Sequence, residues 1–136
     1  MIMKANELMI GDWVYNKHHK KNICITPYDF FTHGHLPSGR QYFIGDPETI
    51  SGRDLEPIPL TPEILEKNGF KKDEKREEMY YWNWGIGNNC VSYDKETGIV
   101  RIFHVFGHLV FVLPLSYVHE LQHALRLCGI DKEIVL

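Results

Sequence analysis

The residues best suited to chemistry in this sequence are His119-Glu120-Leu121-Gln122-His123, which match H-E-x-x-H. On a helix, two histidines one turn apart can bind one zinc ion, and the glutamate between them can activate a metal-bound water. In that reading His119 and His123 are ligands, Glu120 is the general base, and the protein is a zinc-dependent hydrolase. Three observations weigh against it. With eight histidines and eleven glutamates in 136 residues, random order produces the pattern somewhere with a chance of roughly 4%. A catalytic zinc also needs a third protein ligand. Beyond His123 only Asp131 and Glu133 offer one, and upstream His104 or His108 would have to come from a neighbouring sheet. Finally, at about 100° per residue, Tyr117, Val118, Leu121, Ala124, Leu125 and Cys128 share one face. His119, His123 and Arg126 fall on the opposite, polar face, where the Arg126 cation is a poor neighbour for a dication. The expectation is therefore a solvated or interfacial helix face and no cofactor, with zinc as the alternative.

Two other clusters could bind without catalysing. Tyr80, Trp82 and Trp84 alternate onto one face of an aromatic strand, with Tyr81 and Asn83 on the other. That face is either core beneath a helix or a stacking platform for single-stranded nucleic acid, which needs basic neighbours. Lys71, Lys72, Lys75 and Arg76 precede it, offset by Asp73, Glu74, Glu77 and Glu78. The second cluster is Lys17-His18-His19-Lys20-Lys21, which reads first as a solvated turn between strands. Lys17, Lys20, Lys21, Trp82 and Trp84 are the candidate binding residues. No Gly-rich phosphate loop, Ser/His/Asp arrangement or close carboxylate pair is specific here.

The elements that would position these residues divide at about residue 60. Residues 1–60 read as a small, mostly β module, SH3-like in character. Its first strand is Leu8–Tyr15 with a bend at Gly11, its second Asn22–Thr26, and Arg40–Ile44 is a short third strand within loop-rich residues 28–47. Pro57 and Pro59 keep residues 50–59 extended. Residues 61–136 read as helix, antiparallel sheet and helix, and the two parts could also form one continuous domain. Thr61 caps a helix that has Pro62 at its first position and stops at Gly69-Phe70. The charged run 71–78 is an exposed connection. Strands follow at Met79–Trp84, Cys90–Tyr93, Ile99–Val105 and His108–Leu113, with a turn at Asp94–Gly98. A final helix runs from about Ser116 to Cys128, and Ile134–Leu136 adds a short edge strand. The fold class expected is α+β.

Composition bounds the rest. The chain is 43% hydrophobic and 24% charged with a net charge of −3, ordinary globular values without a global basic field. Cys24, Cys90 and Cys128 are odd in number and far apart, so reduced thiols in a cytoplasmic protein are expected. No signal-peptide pattern opens the sequence, and no apolar run has the ~20 residues a bilayer requires. No membrane partner is expected.

Three stretches taken together carry a resemblance. They are Glu7-Leu8-Met9-Ile10-Gly11-Asp12-Trp13-Val14; Leu55-Glu56-Pro57-Ile58-Pro59-Leu60-Thr61-Pro62-Glu63-Ile64-Leu65 with Gly69-Phe70; and Tyr117-Val118-His119-Glu120-Leu121-Gln122 with Leu125 and Gly129. In this order they resemble a family of small uncharacterised proteins of Bacteroidetes genomes and their phages or prophages. The resemblance implies a phage or mobile-element setting and no particular activity. In that family the last helix reads like Tyr-Val-His-Gln/Glu-Leu-Gln-Asn, so the resemblance makes His123 a departure from the pattern. The function expected is a non-enzymatic binding or adaptor module whose partner is protein or nucleic acid, with the zinc hydrolase as alternative.

Overall fold

The computed structural model describes residues 3, 7–17, 20–25, 34–35, 41–42, 55–85, 87–104 and 106–136. The protein is α+β, and the chain divides into two compact units, Met1–Ile58 and Pro59–Leu136.

In the first unit, β1 (Trp13–Asn16) lies between β2 (Lys21–Cys24) and β5 (Leu55–Pro57), antiparallel to both. β5 is an edge strand, which tolerates Pro57 because its missing N–H need not face a partner. The core is Met3, Leu8, Val14, Ile25 and Leu55, with Ile23 packed against it. The strand expected over Leu8–Tyr15 is shorter than its composition suggests. Residues 9–12 fold back on themselves: Asp12 N–H donates to the Met9 carbonyl, and the Met9 N–H donates to Asp12 Oδ2 at 2.8 Å. Gly11 sits at φ +92° in this turn, a conformation that a side chain disfavours. Of the strand expected over Arg40–Ile44, the described part, β4 (Gln41–Tyr42), is a strand. It pairs with β3 (Gly34–His35), which was expected as loop. Residues 28–33, 36–40, 43–54, Thr26, His18 and His19 lie outside the described residues.

In the second unit, α1 (Pro62–Lys67) begins as its sequence dictates. Thr61 Oγ1 accepts from the Ile64 N–H at 3.3 Å, and the turn after Asn68 closes with Phe70 N–H on the Leu65 carbonyl at 3.0 Å. A five-stranded antiparallel sheet follows in the order β10-β9-β8-β7-β6: β6 (Lys71–Lys72), β7 (Met79–Asn83), β8 (Cys90–Asp94), β9 (Ile99–His104) and β10 (His108–Pro114). Residues 71–78 were expected as a connection, but Lys71 and Lys72 pair with Tyr81 and Tyr80 as a fifth strand. The register lines up Tyr80, Tyr93 and Val100, and beside them Trp82, Val91 and Ile102. All of these but Trp82 are buried, at about 1.5–3 kcal/mol for each large aliphatic. The last helix, α2 (Val118–Leu127), buries Val118, Leu121, Ala124 and Leu125 as its spacing predicts.

Backbone bridges join the two helix starts. The Leu60 N–H donates to the Ser116 carbonyl at 2.9 Å, and Pro59 pairs with Tyr117. The edge strand expected at Ile134–Leu136 is not a strand. Within it, both backbone groups of Val135 are taken by the side chain of buried Asn68. Asn68 Nδ2 donates to the Val135 carbonyl at 2.7 Å and to Ile64 at 2.8 Å, while Oδ1 accepts from the Val135 N–H at 2.8 Å. A carboxamide presents one donor and one acceptor side by side, as an adjoining strand would. Replacing Asn68 with Ala should cost about 1–3 kcal/mol in urea denaturation. Amide exchange at Val135 should accelerate more than exchange in β8, because its N–H loses the Asn68 Oδ1 acceptor.

Candidate functional site

The H-E-x-x-H residues occupy the first turns of α2, whose N-cap is Tyr117. Glu120 is committed there. Its Oε1 accepts from the backbone N–H groups of Ser116 and Tyr117, each at 3.0 Å. Those donors have no intrahelical partner, and an acidic side chain at the third helical position is well placed to satisfy them. The carboxylate that would serve as general base thus has a structural task.

The outer-face assignment of His119 is overturned. His119 is 9% exposed and Gln122 6% exposed, while His123 and Arg126 are half-buried. The Tyr117 ring stacks on His119 at 6.0 Å and 14°, and His123 meets it edge-on at 5.5 Å. A helical wheel finds the most apolar side but is blind to what covers the other. Among the described residues, no group of three His, Cys, Asp or Glu side chains is placed to hold a metal ion. His104 and His108, expected on a sheet surface, are cross-strand partners at the β9–β10 hairpin. His108 is exposed, but His104 is half-buried against Trp84 at 5.3 Å.

The aromatic strand makes the more extensive arrangement. Trp82 and Trp84 stack at 5.1 Å and 13°, Phe70 lies 6.4 Å from Trp82, and His104 extends the row beyond Trp84. Lys132 Nζ sits 4.4 Å from the Trp82 ring centroid, a cation–π distance. Burial lowers the Lys132 pKa by disfavouring its charged form. Beside Trp82 lies an open cleft of about 440 Å³ whose lining includes Lys71, Lys72, Asp73 and Tyr81. At the other end of the row, His104 Nδ1 and Asn89 Oδ1 are buried without a hydrogen-bond partner. The pairing of Cys90 with Phe103, continued by one residue, sets Asn89 across from His104. Buried polar atoms rarely stay unsatisfied without a reason.

The candidate binding residues are thus only partly gathered. Trp82 and Trp84 are in contact, whereas Lys17, Lys20 and Lys21 form the exposed β1–β2 turn of the first unit. There Lys17 Nζ pairs with Glu56 at 3.2 Å, and Lys20 takes φ +54°. Sequence reasoning missed Lys132 and Phe70. Neither carries a local signal, since both reach Trp82 through tertiary packing. Cys24, Cys90 and Cys128 form no disulfide among the described residues, and burial raises the pKa of Cys90 and Cys128. No helix among the described residues is long and apolar enough to cross a membrane.

Comparison with protein-family models, with curated proteins and with solved structures found no match.

The role of Glu120 is open to a direct check. Glu120→Ala should destabilise the protein by about 1 kcal/mol, the value of a helix cap. Glu120→Gln should retain most of that stability in the same denaturation experiment, because its amide oxygen can still accept from both N–H groups.

Proposed function

We propose that the protein is a non-enzymatic binding module that takes a segment of single-stranded nucleic acid on its second unit. Bases stack at the Trp82–Trp84 row, and Lys71, Lys72 and Lys132 meet the phosphates. The observation that carries this reading is the stacked tryptophan pair beside an open cleft with two lysines on its wall and a third over the ring. Aromatic faces accept any base, while lysines hold the backbone. The basic neighbours that precede the strand in sequence, offset there by acidic residues, are joined in space by Lys132, fifty residues on. A phage or mobile-element setting, implied by the family resemblance, agrees with a nucleic-acid ligand, and the thiols of Cys90 and Cys128 agree with the cytoplasmic compartment expected from the sequence. The reading requires no cofactor.

Fluorescence anisotropy with a labelled oligothymidylate at low salt tests it. Binding should weaken as salt rises. Trp84→Ala should weaken it by about ten-fold, as expected for a lost stacking platform. Lys71→Glu with Lys72→Glu should weaken it without unfolding, since both side chains are exposed. Changing Lys17, Lys20 and Lys21 to Glu should leave it unchanged. Absence of binding, or binding indifferent to both unit-two variants, overturns the reading and leaves a protein partner as the occupant to seek. Protein purified without a histidine tag should hold less than about a tenth of an equivalent of zinc after supplementation; a stoichiometric metal lost in His123→Asn would restore the hydrolase.

A further inference from the structure

β10 is an edge strand of unusual composition. It runs for seven residues, His108–Pro114, and β9 is its only partner among the described residues. Leu109, Val110, Val112 and Leu113 are between 45% and 54% exposed, and Phe106 at the hairpin tip is 93% exposed. Phe106 also takes φ +62°, a strained value for a bulky residue. Edge strands are ordinarily blunted by lysine, proline or inward-pointing charge. From 109 to 113 there is none. The devices present are a bulge at Val110, which has no partner on β9, and Pro114 at one end.

The order of these residues points to an occupant. Leu109-Val110-Phe111-Val112-Leu113 reads the same in both directions. An antiparallel pair of identical strands about a two-fold axis sets each residue against its mirror position. Centred on Phe111, that pairing places Leu109 against Leu113, Val110 against Val112, and Phe111 against itself. Every cross-strand pair is then apolar and matched in size, and β-branched residues meet β-branched residues. No charge is brought against a like charge. A foreign strand would gain nothing from this symmetry; a second copy of the chain uses all of it.

We propose that two copies of the protein pair antiparallel through β10, centred on Phe111, and join their five-stranded sheets into one of ten strands. The pairing is reversible and weak, because five residues bury less than a standard interface and the bulge twists the edge.

Sedimentation velocity from about 5 µM to about 1 mM spans the weak range expected of so small an interface. The expected result is a concentration-dependent monomer–dimer equilibrium that stops at two. Two double variants test the register, and both change half-exposed side chains. Val110→Lys with Val112→Lys sets like charges opposite each other, so dimerisation should weaken by at least about ten-fold. Val110→Lys with Val112→Glu sets lysine against glutamate at both crossings and should dimerise within about three-fold of the unaltered protein. Circular dichroism and amide spectra confirm that both variants fold. Monomer throughout the range overturns the proposal. So does equal dimerisation of the two double variants, growth past the dimer, or failure of the folded Lys/Glu variant to associate.

Discussion

Much of the second unit hangs on the side chain of Asn68. It stands at the end of α1, where the chain turns left-handed at Gly69, and its carboxamide holds both backbone groups of Val135. That contact helps to hold the segment bearing Ile130 and Ile134, both buried, which carries Lys132 above Trp82. The turn after α1 delivers Phe70 to the same indole. Position, charge and packing at the tryptophan row thus trace back to a helix end and an amide. A buried amide that lost one of its partners would be left with unsatisfied polar atoms, so the contacts at both ends depend on one another.

The H-E-x-x-H segment illustrates how one spacing can serve two purposes. Glutamate three residues after an N-cap closes a helix start, and the same glutamate between two histidines resembles a zinc site. The placement of the helix boundary separates the two, since Tyr117 and Ser116 supply N–H groups that only the first turn leaves open. The neighbouring histidines are then held by rings and cover, with His119 sandwiched between Tyr117 and His123.

Much of the fold was legible because local signals agreed. Thr61-Pro62, Gly69-Phe70, the Asp94–Gly98 turn and the apolar stripe Val118-Leu121-Leu125 each carry their own physics, and each stands where the sequence placed it. Two of the errors share one cause, and a third is a local turn. Lys71-Lys72 looks like a solvated connection until Tyr80 and Tyr81 offer it a ladder. Ile134-Val135-Leu136 looks like a strand until the Asn68 side chain takes the hydrogen bonds of Val135. Leu8–Tyr15 has strand composition, but Asp12 folds back to the Met9 N–H. Polarity and propensity report what a segment tolerates; pairing is decided by partners distant in the chain. The site was legible as a type, tryptophans in alternation, but its cation came from the far end of the sequence.

The two borders of the five-stranded sheet are unlike. At one, β6 is two residues long and both are lysines, a border that repels a copy of itself. At the other, β10 is long and uncharged. A sheet with two receptive borders could be extended without limit, as in a fibre. A sheet with one receptive border can be extended once, after which only lysine borders face outward. The asymmetry therefore acts as a chain terminator, and Lys71 and Lys72, on the wall of the cleft beside Trp82, stay on the border away from the one that joins.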